Sequence, residues 1–315
     1  MTASYHDRVN VLQGTTASSP FDRADWFALL AASGIAPLVV SAGAGDGAAA
    51  LALTATNGRI EPLRNWYSFT WRPHGESPAA LAEIARSLKS RSHRVTLWPV
   101  PDEDGSATRL EQAFRKAGWS VAREACDHNH VLPVGGRSFA EYWQGRPGQM
   151  RTTFKRKAKK VAVELFTRFD PGAWAEYEAI YGESWKPEEG NPGLLRRFAE
   201  QEGAAGRIRL GIARAEGRAV AAQFWTVEHG TAHIHKLAHR EDAKPLSAGT
   251  TLSAALFEHV IDIDKVELVD FGTGDDPYKR DWMELDRPRF RIDCLDPRQP
   301  RAWPALARRT LGRVA

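Results

Sequence analysis

The chain has 315 residues, of which 43% are hydrophobic and 26% charged, and its formal net charge is +4. This length exceeds one ordinary core and suits two domains, and so mild a basic excess makes the distribution of charge more informative than its total. No apolar run reaches the roughly 18 residues of a membrane span, and the N-terminus lacks the apolar core of a signal peptide. The two cysteines, Cys126 and Cys294, have no metal-ligand spacing. We therefore expect free thiols in a cytoplasmic protein, with peripheral contact at the inner membrane face as an option.

The first half of the chain alternates helical and extended patterns after a flexible lead-in at residues 1–20. Hydrophobic periodicity and turn residues predict, in order, a helix at 21–33, β-prone segments at 35–42, 48–55 and 59–71, a helix at 77–90, a strand at 93–100, a helix at 107–119 and one or two strands at 121–134. The element order is α-β-β-β-α-β-α-β.

The second half has a clearer pattern, with tight turns predicted at Glu216-Gly217 and His229-Gly230. The predicted elements are a helix at 137–160 broken near Pro147, a strand at 161–169, helices at 171–185 and 191–206, strands at 207–215, 217–228 and 231–240, a helix at 247–264, a strand at 266–272, a short helix at 276–285 and a strand at 287–296. After the first helix this order is β-αα-βββ-α-β-α-β. An Arg-rich tail, 297–315, follows, and it is predicted to be a short interfacial helix or disordered.

The stretch VDFGTGDDPYKRDW, residues 269–282, places charged and aromatic groups just after a buried strand. Asp270 ends that strand, where ligands of open α/β sheets collect. Lys279, flanked by Tyr278 and Trp282, is a candidate to stabilise developing negative charge, and the alternative is a simple ion pair across one helical turn. Asp270 is a candidate general base.

The segment Leu246-Ser247-Ala248-Gly249-Thr250 precedes a predicted helix. A helix N-terminus offers free N–H groups and partial positive charge, so this loop is a candidate phosphate site. The alternative is a plain serine N-cap.

Strand periodicity places His233 and His235 on one face and Lys236 on the other. His235 is a second candidate base, although ordinary sheet histidines are the alternative. We expect no metal, because no other ligand cluster accompanies this His-x-His pair.

The run RTTFKRKAKK, residues 151–160, contains six basic residues, with Arg151 and Lys155 on one helical stripe. It is a candidate surface for an anionic acceptor, phosphates or a membrane, or else a solvated face. Trp185 is a candidate for stacking on substrate, although tryptophan is more often part of the core.

This element order and three motifs, RTTFKRKAKK, AVAAQFWTVEHGTAHIHKLAHRED with LSAGTTLSAALFEHVI, and VDFGTGDDPYKRDW, resemble the GCN5-related N-acetyltransferase (GNAT) superfamily. The two-lobed branch containing CelD/BcsL-type acetyltransferases and FemAB peptidyltransferases is the most similar. The usual glycine-rich pyrophosphate loop is replaced here by KPLSAGT, with one glycine.

The resemblance implies an α/β (α+β) fold with tandem GNAT-like domains, each a mixed sheet flanked by helices. It predicts a degenerate lobe at 21–135 and a catalytic lobe at 136–296. It also implies acetyl-CoA or another acyl-CoA at 246–250, catalysis by Lys279, Asp270 or His235, and acceptor contacts from Arg151, Lys155, Trp185, Tyr278 and Trp282.

Three functions follow as hypotheses. The first is acyl transfer from acyl-CoA to an amine or hydroxyl, in polysaccharide or cell-envelope biosynthesis, on a small-molecule or envelope-precursor acceptor. The second is FemAB-like transfer from aminoacyl-tRNA, the one case in which nucleic acid would be a partner. The third is a scaffold of the same fold without catalysis.

Overall fold

The computed structural model describes residues 2–311, with side chains through Arg309, and divides them into two compact units. The first unit contains residues up to 128 and again from 287, and the second contains residues 129–286. The strands and helices, in chain order, are β1 (Ser4–His6), α1 (Ala24–Ala32), β2 (Leu38–Ala42), β3 (Ala49–Thr56), β4 (Arg59–Pro62), α2 (Pro78–Ser87), β5 (Arg94–Val100), α3 (Ser106–Lys116), β6 (Ser120–Pro133), α4 (Phe139–Gln144), α5 (Gly148–Lys157), β7 (Ala162–Phe166), α6 (Pro171–Gly182), α7 (Pro192–Ala204), β8 (Ile208–Ala215), β9 (Arg218–Glu228), β10 (Thr231–His239), α8 (Ala248–Glu258), β11 (Leu268–Thr273), α9 (Lys279–Trp282), β12 (Leu285–Leu295) and α10 (Trp303–Leu311).

The first unit is built on strands in the order β1-β2-β3-β4-β5-β12. Neighbours are antiparallel except β4 and β5. Its core includes the fully buried side chains of Leu51, Leu97 and Phe114. Helix α2 begins as its sequence predicts, since the Ser77 hydroxyl accepts a hydrogen bond from the Ala80 N–H.

The second unit has strands in the order β6-β11-β10-β9-β8-β7, and only β10 and β11 are parallel. The predicted hairpin turns are confirmed: Glu216 and Gly217 have φ of 50° and 80°, and His229 and Gly230 have φ of 46° and 71°.

Helices cover both faces of this second sheet. On one face Trp225 belongs to a core cluster with residues of α8. On the other face the neighbouring Phe224 meets Trp174 of α6 and Phe198 of α7 at ring-centroid distances of 5.3 and 5.9 Å. Period-two alternation along β9 therefore separates the α8 face from the α6–α7 face.

The fold class is confirmed, and so is the predicted element order from α1 to β12, although the extended segment predicted at 59–71 is a strand only over β4. The break in the helix at 137–160 is also confirmed, because Gly145 ends α4 and Pro147 precedes α5.

The division of the chain differs from the predicted boundaries. β12 pairs with β5, with Ile292 opposite Leu97, so residues from 287 onward join the first unit and not the lobe predicted at 136–296. The second unit begins at 129 rather than 136, because the end of β6 pairs with β11. Pairing between strands so distant in sequence leaves no local signal.

Both chain ends contain more structure than the sequence indicates. Within the predicted flexible lead-in, β1 pairs with β2 through Tyr5 and Val40. In the Arg-rich tail, α10 is held by Arg309, which donates to the backbone oxygen of Asp293 at 2.9 Å. The remainder of that predicted tail, residues 312–315, lies outside the described residues. Within the described part of the chain, none of the helices combines the length and apolar content that a membrane span requires.

Candidate functional site

The parallel strands β10 and β11 separate midway along their length. They pair only from Thr231 opposite Leu268 to His233 opposite Asp270. Beyond that point β10 continues to His239 beside β9, while β11 continues to Thr273 beside β6. The divergence opens the sheet at the strand ends, where α/β proteins bind ligands.

A cavity of about 450 Å³ lies near this opening, on the α8 side of β10. It is large enough for a small-molecule site and combines apolar walls with a few polar groups. Its lining residues are Pro147, Gln149, Met150, Thr153, Trp185, Leu237, His239, Gly249, Thr250, Ser253, Tyr278, Asp281 and Trp282.

Five of the predicted site residues meet in this cavity. Gly249 and Thr250 come from the candidate phosphate loop, Tyr278 and Trp282 from the segment around Lys279, and Trp185 from the loop between α6 and α7. Trp185 is 47% exposed and lies against the His239 ring at 4.2 Å between centroids. The structure brings these parts together although they are up to 97 positions apart in the chain.

The predicted phosphate loop forms the start of α8. Ser247 adopts a left-handed conformation with φ of 52°, and its side chain does not cap the helix. Instead, the Ser247 hydroxyl accepts a hydrogen bond from the Lys157 ammonium at 3.1 Å. The first turn of α8 contains no acidic residue. An ammonium beside a positive helix end is unfavourable by itself, so this pairing favours an anion.

Lys157, which the sequence did not single out within its basic run, is thus the residue of α5 that reaches the loop. The other members of the loop play different parts: Ala248 is buried and Leu246 packs partly buried against the core.

A buried polar network fixes α8 against β9. The Gln223 amide donates to the Ser253 hydroxyl at 2.7 Å and to the Gly249 backbone oxygen at 3.3 Å. Its oxygen accepts from the Trp225 indole at 2.9 Å. Gln223 therefore holds the first turns of α8 in place, a role that the polar residue in a hydrophobic strand could have indicated.

Asp270 lies at the point where the strands separate. Its carboxylate accepts from the Asn129 amide at 3.1 and 3.0 Å and from the Gly272 N–H at 2.8 Å, and only 8% of the residue is exposed. Neither Asn129 nor the adjacent, buried His233 was predicted as a site residue. The His-x-His pattern was the only signal for His233, and Asn129 had none.

Lys279 is buried and closes the turn after β11. Its ammonium donates to the backbone oxygens of Thr273 and Gly274 and lies 5.4 Å from the centroid of the Phe271 ring. Gly272 and Gly274 have positive φ, as this turn requires. Lys279 does not line the cavity, but its neighbour Tyr278 does.

Burial raises the pKa of Tyr278, and the charge of Asp276 acts in the same direction. The Tyr278 hydroxyl thus keeps its proton over the physiological range and could donate a hydrogen bond to a ligand.

His235 lies on the α6–α7 face, away from the cavity. Its Nε2 is 2.8 Å from the Thr226 hydroxyl oxygen, and its ring stacks on Phe224 at 5.0 Å. His233 and His235 face the same way, as predicted, with ring centroids 6.3 Å apart.

The predicted orientation of Lys236 is wrong, because β10 has a bulge between Ile234 and Lys236. The bulge turns Lys236 to the same face as His235, where its ammonium contacts Glu189 at 2.9 Å. Leu237 then faces the cavity.

Helix α5 presents two different faces. Gln149, Met150 and Thr153 line the cavity, whereas Arg151 and Lys155 are exposed and are not among the lining residues. The Arg151 guanidinium donates to the backbone oxygen of Arg146 at 3.1 Å. The two predicted acceptor contacts on α5 therefore belong to an outward basic surface.

Comparisons with known proteins agree with this architecture. Residues 147–280 match the family described as Acetyltransferase (GNAT) domain. No curated protein matches the chain in a search by sequence.

Among solved structures, the chain is similar to FemX with a TM-score of 0.67 and 10% identity, over 96% of this chain and 99% of that one. It is similar to L-PGS from Bacillus licheniformis with a TM-score of 0.60 and 13% identity, over 96% and 94%. It is also similar to a tandem GNAT protein from the clavulanic acid biosynthesis pathway, with a TM-score of 0.50 and 16% identity, over 93% and 94%. Residues 147–280 of the second unit thus match a GNAT domain, and the similarities over nearly the whole chain show a two-lobed fold like those of FemX and the tandem GNAT protein.

Proposed function

We propose that the second unit transfers an acyl group from acyl-coenzyme A to an amine or hydroxyl acceptor. The observation that carries this proposal is the opening between β10 and β11 beside the start of α8, where Lys157 adds a positive charge. The residues present suit the donor: the N-terminus of α8 and Lys157 would hold its phosphates, and the cavity would hold part of its pantetheine arm.

Asp270 is the better placed of the two proposed bases, because it lies where β10 and β11 separate, whereas the His235 ring is enclosed by Phe198 and Phe224. In direct transfer, the acceptor nitrogen or oxygen attacks the thioester carbonyl carbon and the carbon–sulfur bond breaks. The acceptor proton passes to Asp270, directly or through water. The Tyr278 hydroxyl can donate a hydrogen bond to the departing thiolate, which takes its proton from water.

We assign Lys279 a positioning role in this reaction. By binding the carbonyl oxygens of Thr273 and Gly274, its ammonium fixes the turn that leads to Tyr278 and Trp282, two walls of the cavity. The similarity to acetyltransferases of polysaccharide gene clusters, in the motifs quoted above, supports an acceptor from polysaccharide or envelope biosynthesis.

Binding of the donor tests this function directly. In a thermal-shift titration, acetyl-CoA at about 100 times its dissociation constant should stabilise the protein by roughly 2.7 kcal/mol. Dephospho-CoA shows whether the phosphate on the ribose contributes.

The variant Lys157→Met should weaken acetyl-CoA binding by on the order of tenfold, since a hydrogen bond to a charged group is lost. Lys159→Met is a matched control, because Lys159 is an exposed lysine two positions further along the same basic run. Equal affinities in the two variants would contradict the placement of the phosphates.

Transfer from aminoacyl-tRNA is the second candidate. Its support is the exposed basic surface of α5, including Arg151, Lys155 and Arg156, in a chain whose fold is similar to FemX. A tRNA pool should then bind with a strong dependence on salt while acetyl-CoA gives no shift. If neither ligand binds, both transferase proposals fail and a non-catalytic scaffold is the remaining hypothesis.

A further inference from the structure

The guanidinium groups of two arginines of the first unit lie over one tryptophan ring. The guanidinium carbon of Arg64, just after β4, lies 4.1 Å from the centroid of the Trp98 ring, and that of Arg291, on β12, lies 5.1 Å from it. The pairing of β12 with β5 is irregular here. Trp98 and Pro99 lie opposite Arg291 alone, between the pairs Ile292–Leu97 and Phe290–Val100.

Neither guanidinium is neutralised by a close partner. The Nε atoms of Arg64 and Arg291 are buried without a hydrogen-bond partner, and across residues 2–311 neither side chain has a carboxylate within 4 Å. A cation–π contact with an aromatic ring does not use the N–H donors of a guanidinium, so these donors can still bind an anion.

The lowered pKa of Arg64 indicates that burial disfavours its positive charge. Burial lowers the pKa of its guanidinium to about 10, although Cys126, Asp127 and Glu61 act in the opposite direction from a distance. A charge that is removed from water without an adjacent counter-ion destabilises the folded protein.

Two other partly buried arginines of the same unit are paired with carboxylates. Arg72 contacts Asp22 at 3.1 Å and Asp104 at 2.8 Å, and Arg94 contacts Asp293 at 2.9 Å. Carboxylates therefore neutralise Arg72 and Arg94, whereas Arg64 and Arg291, beside Trp98, have no such partner among residues 2–311.

We propose that Arg64, Arg291 and Trp98 form a binding site for an oxyanion, the carboxylate or phosphate group of a small molecule. The two guanidinium groups supply in-plane donors in the fixed geometry that binds such groups bidentately. Trp98 holds both planes in place before the ligand arrives, which reduces the entropy lost on binding. This site is independent of the acyl transfer proposed for the second unit.

Cys126 provides a local reporter. Burial raises the pKa of its thiol, while the charges of Arg291 and Arg64 lower it. Cys126 is exposed and Cys294 is fully buried, so an alkylating reagent added to the folded protein should react with Cys126 and not with Cys294. An anion bound to the two arginines removes their effect on the thiol and should slow its alkylation.

The experiment measures the rate of iodoacetamide alkylation of the full chain in sodium phosphate, sodium acetate and sodium chloride at matched ionic strength. Phosphate or acetate should slow the reaction saturably, and chloride should not. A stronger effect of phosphate identifies a phosphate ligand, and a stronger effect of acetate identifies a carboxylate.

Arg64→Met and Arg291→Met should each weaken the anion effect by on the order of tenfold, compared as the rate ratio with and without anion for each variant. Arg115→Met is the control, since Arg115 is 58% exposed and already paired with Glu111. Equal slowing by chloride in the unmodified protein would overturn the proposal, as would full retention of the effect in both variants.

Discussion

Two cavities of the second unit lie on opposite sides of β10, and the lysines near them have different partners. In the cavity of about 390 Å³ between α6 and α7, the lining residue Glu189 pairs with Lys236 at 2.9 Å, and Glu178 accepts from the Trp174 indole. Close to the cavity beside α8, the Lys157 ammonium donates to the Ser247 hydroxyl at the helix N-terminus. Lys236 thus has a carboxylate partner within the fold, whereas in our proposal an anionic ligand supplies the partner of Lys157. We therefore expect changes on the α6–α7 side to alter stability and changes on the α8 side to alter binding or turnover.

The largest effect on stability should come from breaking the ion pair between Lys236 and Glu189. Lys236→Met leaves the Glu189 carboxylate buried without its cation, so the free energy of unfolding should fall by about 3 kcal/mol in denaturant titrations. Adding Glu189→Gln should recover most of that loss. Acetyl-CoA affinity should stay unchanged in both variants, and a parallel loss of affinity would remove the distinction between the two cavities.

Asp270→Asn should show the opposite behaviour. The amide keeps the shape of the carboxylate but cannot take up the acceptor proton, so turnover should fall by on the order of a hundredfold. Thermal unfolding and acetyl-CoA binding should change little. Turnover within threefold of the unmodified protein would exclude Asp270 as the base.

Lys279→Ala should lower turnover by at least about tenfold, or ~1.4 kcal/mol in the barrier, because the turn before Tyr278 is no longer held. Far-ultraviolet circular dichroism should be unchanged. Tyr278→Phe is the comparison, since it removes one hydroxyl but leaves the turn in place. Lys279→Ala should raise the KM for acetyl-CoA more than Tyr278→Phe does, because it moves both the Tyr278 and the Trp282 side chains. Unchanged turnover in Lys279→Ala would rule out the positioning role.

The smallest effect is expected at the second candidate base. His235→Phe should leave turnover within about threefold, because the ring is packed against Phe198 and Phe224 on the face away from the cavity. A loss comparable to that of Asp270→Asn would transfer the role of base to His235.

Local patterns predicted the elements of this fold well because their causes are local. Ser77 and Pro78 start α2, Pro147 interrupts the basic helix, and Glu216-Gly217 forms the hairpin turn. Pairings between distant segments could not be found in this way. The joining of β12 to β5 depends on a register that no window of sequence contains.

In the candidate site too, local sequence patterns indicated some of the residues and not others. The loop at 246–250 and the pair Tyr278 and Trp282 were identifiable as a helix start and a strand end. Lys157 and Asn129 were not, because their roles depend on which distant atom each one reaches. The bulge in β10 also escaped detection, since one extra residue reverses the alternation on which strand faces are assigned.

The pairing of β12 with β5 also governs the order in which the chain can fold as it is synthesised. The second unit is one continuous segment, 129–286, and has all its strands once that segment has emerged. The first unit begins earlier but lacks β12 until residue 295 is made. The edge of β5 that pairs with β12 therefore stays unpaired while nearly two hundred further residues are translated. A ribosome that stalls within the second unit would release a nascent chain with an open strand edge, a substrate for chaperones or for aggregation.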